Sequence, residues 1–300
     1  MTIRIALIRT FNRIYRRTKR YIFRRRPPIL TPLFAAATGA ADGLLSHRHR
    51  TSLESGLDKL WKQSYFEKWS RPDAPRLKII TQFPIAYSSD DHKFPRGTIL
   101  DNSINRRFNC RLYELLHFTE GLKFLDLGCA GGGLVRSFLE DGYLACGIDG
   151  SDASRRFRSA EWDTIPFHLF TADITKEFTI VDRQDKPIEF DVVTAWEVLE
   201  HIGENDLPAL IQRIYRHLRP GGYFIGSVDL IPDGNLRTGA VYHKTFHPEE
   251  WWHDLFASNG FSILKDHPFR VEDMVRGNGL SLKDWLPSKG TGMHIVAQRE

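Results

Sequence analysis

The sequence predicts an α/β protein built on a doubly wound, mostly parallel β-sheet. In KFLDLGCAGGGLV (Lys123–Val135), a short apolar run ends in a glycine cluster and an amphipathic segment follows. This order indicates a buried strand that turns sharply into a helix. Further apolar runs begin at Tyr143, Phe167 and Phe190, and LRPGGYFIGSV (Leu218–Val228) adds another after a helical segment. Apolar runs that alternate with helical segments favour a sheet covered by helices on both faces.

The 300 residues fit one large domain with appendages, and 41% hydrophobic residues can bury a sizeable core. Three cysteines without metal-ligand spacing (Cys110, Cys129 and Cys146) argue against a disulfide framework and favour a reducing compartment. We therefore expect a cytoplasmic protein.

The basic charge belongs to the N-terminus. Ten of the 42 Lys and Arg residues lie within residues 1–26, which contain no acid, so the rest of the chain holds 32 basic against 37 acidic residues. Apolar residues recur there at helical spacing, which predicts a basic amphipathic arm over residues 1–30. Such an arm could hold the protein peripherally on an anionic membrane. A mitochondrial transit peptide and a plain solvated tail remain open, while the acidic body makes nucleic acid an unlikely partner.

Residues 31–104 are predicted to hold a linker, a helix near Leu53–Trp69 and a lid or substrate loop. The loop belongs to Ser88–Asn109, a stretch rich in polar and turn residues just before the first strand of the sheet. A solvated surface loop is the alternative. Residues 105–300 are predicted to form the catalytic domain.

The glycine turn discriminates between nucleotide cofactors. A dinucleotide fingerprint fails because Ala130 replaces its middle glycine, and a P-loop fails because no Lys-Ser or Lys-Thr follows. Counted from the acid, the pattern is Asp126-x-Gly128-x-Ala130-x-Gly132. This resembles motif I of the class I S-adenosylmethionine-dependent methyltransferases, with alanine at one glycine position.

Later segments resemble the same family in order and spacing. The resemblance implies a Rossmann-like, seven-stranded sheet in which the last strands, Phe261–Leu264 and His294–Gln298, form an antiparallel pair. It implies S-adenosylmethionine as cofactor, with the methionine end at the glycine turn, the ribose at Asp149 and the adenine near Asp173. The predicted cofactor-binding residues are Asp126, Gly128, Cys129, Ala130, Gly131, Gly132, Asp149, Gly150, Asp173, Ile174 and Glu197.

Histidines near the predicted strand ends are candidate bases. His201 follows Glu197 and Glu200 in EVLEH, just after the fourth strand, and His243 lies on a loop after the fifth. EVLEH also resembles the Glu-x-x-Glu-His of ubiquinone-pathway O-methyltransferases, which implies a metal at Glu197, Glu200 and His201. Our leading prediction has no metal. A structural role for the motif, bracing the next helix, stays open.

The acceptor is the least determined part. Ser88–Asn109 and YHKTF…EEWW look similar to methyltransferases found with polysaccharide-building enzymes. This looser likeness implies a sugar hydroxyl, bound by Arg96, Asp101, Asn102 and Arg106. The leading prediction is therefore O-methylation of a glycan or small metabolite. A metal-assisted quinone-pathway enzyme is the alternative, followed by an RNA-modifying methyltransferase.

Overall fold

The computed structural model describes residues 47–74, 76–274 and 292–300. The predicted basic arm, and with it the membrane and transit-peptide predictions, lies outside these residues. The helices are α1 His47–Trp69, α2 Asp90–Lys93, α3 Arg96–Leu100, α4 Arg106–Leu115, α5 Gly133–Glu140, α6 Ala153–Arg156, α7 Leu207–His217, α8 Glu249–Ala257 and α9 Val271–Met274. The strands are β1 Lys78–Thr81, β2 Lys123–Leu127, β3 Leu144–Asp149, β4 Leu169–Thr171, β5 Phe178–Val181, β6 Phe190–Trp196, β7 Leu218–Asp229, β8 Gly234–Asn235, β9 Ala240–Val241, β10 Phe261–Ile263 and β11 Gly292–Arg299.

A seven-stranded sheet with the order β10-β11-β7-β6-β2-β3-β4 forms the centre of the fold. Strands β7, β6, β2, β3 and β4 pair in parallel, whereas β11 is antiparallel to both β7 and β10. The predicted doubly wound sheet with an antiparallel C-terminal strand is confirmed. Because the parallel strands share one direction, their carboxyl ends and the loops that follow meet along one edge.

Alternating side chains of the central strands feed two hydrophobic clusters. In β2, Phe124 joins one cluster while Leu125 and Leu127 join the other, as the two-residue period of a strand requires. Helix α5 contributes Phe138 to the first cluster and α7 contributes Ile211 to the second, so these helices cover opposite faces. Each fully buried Leu or Phe contributes roughly 1.5–3 kcal/mol to folding.

Two small antiparallel pairs were not predicted. Strand β1 pairs with β5, from Lys78 opposite Val181 to Thr81 opposite Phe178, and β8 pairs with β9 as a hairpin. The partners β1 and β5 are far apart in sequence and each is four residues long. Their pairing is therefore a product of the tertiary structure.

The chain divides into residues 1–55 and a compact unit of residues 56–300. The second unit includes β1 and the loop predicted to precede the catalytic domain, so these segments pack as part of that domain. The described helices include none that is long and apolar enough to cross a bilayer.

Candidate active site

The glycine turn after β2 combines a left-handed backbone with little room for a side chain. Gly128, Ala130 and Gly132 have φ angles of 69°, 45° and 87°, in the left-handed region that glycine adopts most easily. A Cβ on Gly128 would lie 2.3 Å from Val198 Cγ2, so no side chain fits there. The Gly128 and Cys129 N–H groups donate to Ile148 O at 2.8 and 3.1 Å, which fixes the turn against β3.

Asp126 lies beneath the turn rather than on its surface. Its side chain is completely buried, and Oδ1 accepts a 2.7 Å hydrogen bond from Thr194 Oγ1 on the neighbouring strand β6. This contact ties the end of β2 to β6 directly below the glycine turn.

Asp149 ends β3 and holds two loops through backbone amides. Its Oδ2 accepts from Ala130 N–H at 2.9 Å and its Oδ1 accepts from Ser151 N–H at 2.8 Å. The buried carboxylate thus joins the glycine turn to the loop that contains Gly150. An ionised carboxylate has several acceptor positions, so Asp149 can accept further hydrogen bonds, for example from hydroxyl groups.

Asp173 follows β4 at the far end of the same edge. Its Oδ1 accepts from Thr175 N–H at 3.0 Å and from Thr175 Oγ1 at 2.6 Å, while its own N–H donates to Phe83 O at 2.9 Å. Ile174 beside it is buried.

Residues 82–104, here called the cover segment, run along the carboxyl ends of the strands. Ala86 N–H donates to Gly150 O at 2.9 Å, beyond β3. At the other end, Asp101 O accepts from Gly131 N–H at 2.8 Å, so the cover segment touches the glycine turn itself. This segment therefore forms one wall of the predicted cofactor site.

Two histidines meet where β6 and β7 end. The His201 and His243 ring centroids are 5.0 Å apart, and the rings are nearly perpendicular. His201 Nδ1 lies 3.0 Å from Asp91 Oδ2, and His243 Nδ1 lies 2.6 Å from the carbonyl oxygen of Ile231. Because an ionised carboxylate and a carbonyl only accept, each Nδ1 carries a hydrogen, and in the neutral form of either ring Nε2 holds the lone pair.

Glu200 and Glu197 flank this pair of rings. Glu200 is completely buried, its Oε1 accepts from Asp229 N–H at 3.1 Å, and Oε2 has no hydrogen-bond partner among the described residues. Burial, followed by the charge of Glu197, raises the pKa of Glu200 well above its usual range. Burial also raises the pKa of Glu197, with Ser227 acting in the opposite direction through a hydrogen bond.

Among the described residues, Glu200, His201 and His243 form a group that could hold a metal ion, since one ligand atom from each lies within 4.8 Å of the others. The predicted alternative set was Glu197, Glu200 and His201. The structure places His243, rather than Glu197, in the group.

Comparison with known proteins identifies the family. Residues 102–271, more than half of the chain, match a family model described as a methyltransferase domain. The chain belongs to this family of methyltransferases.

Curated relatives with methyltransferase names match part of the chain. The methyltransferase is 33% identical over 120 residues to the ubiquinone biosynthesis O-methyltransferase of Rhodopseudomonas palustris, covering 39% of this chain and 45% of the relative. The Pseudomonas entomophila enzyme of the same name is 31% identical over 129 residues, covering 41% and 52%. The methyltransferase thus spans about half the length of these curated relatives. A 1,6-didemethyltoxoflavin-N1-methyltransferase structure from Burkholderia thailandensis is 16% identical, with TM-score 0.46, covering 70% of this chain and 84% of that one.

Family membership, together with the strand order, confirms a class I S-adenosylmethionine-dependent methyltransferase with that cofactor. The predicted cofactor residues at the ends of β2, β3, β4 and β6 lie along one edge of the sheet, and so do the two histidines. The individual roles of these residues stay predictions.

The predicted substrate residues whose side chains are described contact groups other than the histidines. Arg106 pairs with Glu140 and Asp141 at the far end of α5, about 10 Å of helix away from the glycine turn. Asp101 and Asn102 lie against the glycine turn, where Asn102 Nδ2 donates to Glu161 Oε1 at 3.2 Å. Arg96 begins α3, and its side chain is outside the described part of the structure.

Three residues of the methyltransferase site escaped the sequence analysis. Thr194 holds Asp126, Ser227 accepts from Glu197 N–H at 3.2 Å, and Asp91 holds His201. Asp91 had a visible signal, since SSDDHK combines acids, a histidine and a helix-capping serine. The pairing of Asp91 with His201, 110 residues later, had no such signal.

Proposed function

We propose that this methyltransferase methylates a hydroxyl oxygen of a small molecule, with His201 as the base and His243 beside it. The observation that carries this proposal is the pairing of the two imidazoles at the carboxyl ends of β6 and β7, each with Nδ1 occupied. A neutral imidazole with an open Nε2 is suited to remove a hydroxyl proton near neutral pH.

The cofactor contacts follow from the loops along the same edge. The turn from Gly128 to Gly132 would take the methionine end, because its glycines leave room for close approach to the backbone. Asp149, already anchored by two amides, would accept from the ribose hydroxyls, and Asp173 would face the adenine. The buried Asp126 would act indirectly, by holding the turn in place through β6.

Bound S-adenosylmethionine supplies a sulfonium methyl group whose transfer to oxygen leaves S-adenosylhomocysteine. The work left to the protein is alignment of the acceptor and removal of its proton. His201 Nε2 would receive that proton, while the cover segment limits access of water. His243 would contact the acceptor from the loop after β9.

A phenolic hydroxyl of a quinone-precursor compound is the acceptor class that we favour. Two observations support it: the relatives are named ubiquinone biosynthesis O-methyltransferases, and EVLEH occurs in this chain at the histidine site. A sugar or glycan hydroxyl, as in polysaccharide biosynthesis, is the competing class and rests on the looser sequence likeness alone.

An acceptor screen tests the proposal. Full-length protein would be incubated with S-adenosylmethionine labelled in the methyl group and with 3,4-dihydroxybenzoate, simple phenols or nucleotide sugars. We expect methylation of the catechol and a large loss of turnover in His201→Ala. His253→Ala, at a half-buried histidine of α8, is the control. Full turnover in His201→Ala would remove His201 from the mechanism, and preference for a nucleotide sugar would replace the acceptor class.

A metal-assisted version is the second candidate, because Glu200, His201 and His243 lie close together and Glu200 Oε2 lacks a partner among the described residues. One carboxylate and two imidazoles form a donor set that suits zinc better than magnesium. A cation held there would lower the pKa of an acceptor hydroxyl. Loss of turnover on chelation, with recovery on adding zinc, would favour this version. Unchanged turnover with no bound metal by mass spectrometry would favour the His201 base.

We also propose that residues 1–26 bring the enzyme to an anionic membrane surface, on the basis of their ten basic and no acidic residues. Full-length protein should co-sediment with phosphatidylglycerol vesicles and be released by salt. Protein lacking residues 1–30 should stay in the supernatant. Equal co-sedimentation of the two would contradict this role, and import into isolated mitochondria would support a transit peptide.

A further inference from the structure

A carboxylate from the cover segment contacts the proposed base. Asp91 Oδ2 lies 3.0 Å from His201 Nδ1, although the two residues are 110 positions apart. Asp91 also lies outside the matched family domain, which begins at residue 102. The contact is therefore supplied by a part of the chain that the family model does not cover.

Local structure fixes the position of Asp91. Ser89 caps α2 by accepting from Asp91 N–H at 3.2 Å, and its hydroxyl lies 3.3 Å from Asp91 Oδ2. Asp90 anchors the same turn to the β8–β9 hairpin by accepting from Val241 N–H at 3.1 Å. Acids are favoured in the first turn of a helix, and here each of the two acids has a different partner.

The hydrogen bonds around the contact favour one arrangement of hydrogens. Asp91 Oδ2 also accepts from the Ser89 hydroxyl at 3.3 Å, and hydrogen bonds donated to a carboxylate favour its ionised form. An ionised Asp91 can only accept, so the hydrogen lies on His201 Nδ1. In His243, Nδ1 instead donates to a backbone carbonyl oxygen, that of Ile231.

We propose that Asp91 is a positioning residue for His201, whose ring it holds in the Nδ1–H tautomer with Nε2 directed away from the cover segment. This inference rests on the proposed function of His201, but it concerns the tautomer and orientation of the ring. Carboxylates that orient the histidine ligands of metal sites change affinity or activity by about 10–100-fold when removed, and we expect the same range for a carboxylate that orients a histidine base.

The experiment uses the full-length chain and two readouts. Nitrogen-15 spectra of the histidine rings, with the His201 signals assigned from a His201→Gln variant, report the tautomer without any acceptor. Turnover of 3,4-dihydroxybenzoate reports kcat and KM. The variants are Asp91→Ala, Asp91→Glu and, as a matched control on the same turn, Asp90→Ala.

We expect Asp91→Ala to shift His201 toward a mixture of tautomers and to lower kcat by about 10–100-fold, with KM changed less than about threefold. Asp91→Glu should recover part of the tautomer preference of His201 and part of kcat. Asp90→Ala removes a cover-segment anchor without touching His201, so it should keep the tautomer and most of kcat.

Two results would overturn the proposal: an unchanged His201 tautomer in Asp91→Ala, or equal losses of kcat in Asp90→Ala and Asp91→Ala. The second would mean that Asp91 only anchors the cover segment. Full turnover in His201→Ala would instead refute the proposed base. The two failures are therefore distinguishable.

Discussion

Replacing Gly128 by alanine should damage both the fold and the cofactor site. Gly128 has φ 69°, and a left-handed backbone costs an alanine about 1–2 kcal/mol. The new Cβ would also lie 2.3 Å from Val198 Cγ2, and overpacking of this kind typically costs about 1–3 kcal/mol. We therefore expect Gly128→Ala to lower the free energy of unfolding by about 2–5 kcal/mol.

Gly121 is a matched control. Its φ is 73°, but a Cβ there would meet no atom within 4 Å. Gly121→Ala should therefore cost only the backbone term, about 1–2 kcal/mol. Adding Val198→Ala to Gly128→Ala removes the clashing methyl groups, so the pair should be more stable than the sum of the two single effects.

Urea unfolding of the four variants measures these differences, provided the slope stays constant. Calorimetric titration with S-adenosylhomocysteine should show at least about tenfold weaker binding for Gly128→Ala. The affinity of Gly121→Ala for S-adenosylhomocysteine should be unchanged. Equal destabilisation by the two glycine substitutions would refute the reasoning. So would effects of Gly128→Ala and Val198→Ala that add within about 0.5 kcal/mol.

Three other predictions concern the rest of the molecule. Asp149→Asn replaces a carboxylate that accepts from Ala130 and Ser151 N–H, and should weaken S-adenosylhomocysteine binding by at least about tenfold in calorimetry; unchanged binding would contradict the ribose assignment. Arg136→Ala leaves the buried Glu161 without its ion pair and should lower the free energy of unfolding in urea by about 3–5 kcal/mol. Arg158→Ala, at an exposed pair with Asp163, should lower it by less than about 1 kcal/mol, and similar losses in the two variants would refute the contrast. Burial lowers the pKa of His168 to about 3, so only the unfolded chain takes up this proton between about pH 6.5 and 3, and stability should fall as the pH falls. From pH 7 to 5 the loss should be roughly 2 kcal/mol, and His168→Gln should flatten the slope of unfolding free energy against pH; an unchanged slope would exclude His168 as its source.

The order of strands and the glycine turn could be predicted from the sequence because both depend on local patterns. Apolar runs such as Phe124–Leu127 mark strands, and the helical spacing of Leu207, Leu210, Ile211 and Ile214 marks a helix whose apolar face is buried. The acids that follow the strands could be placed at one edge for the same reason, since parallel strands end together.

The surroundings of the histidines could not be predicted in this way. The sequence made His201 and His243 separate candidates, and only the fold brings their rings to 5.0 Å from each other. It also placed Arg106 among the substrate residues, because nothing in the local pattern shows that Glu140 and Asp141 take its charge.

The sequence by itself determined the class of the protein: the doubly wound sheet, the S-adenosylmethionine turn and the edge at which chemistry occurs. These are properties of short segments, fixed by periodicity and by the backbone conformations that glycine permits. Only the tertiary structure decided which groups meet at that edge, including Asp91 with His201 and the cover segment with Gly131. Such contacts join residues tens to more than a hundred positions apart, and they depend on how loops pack after the sheet has formed.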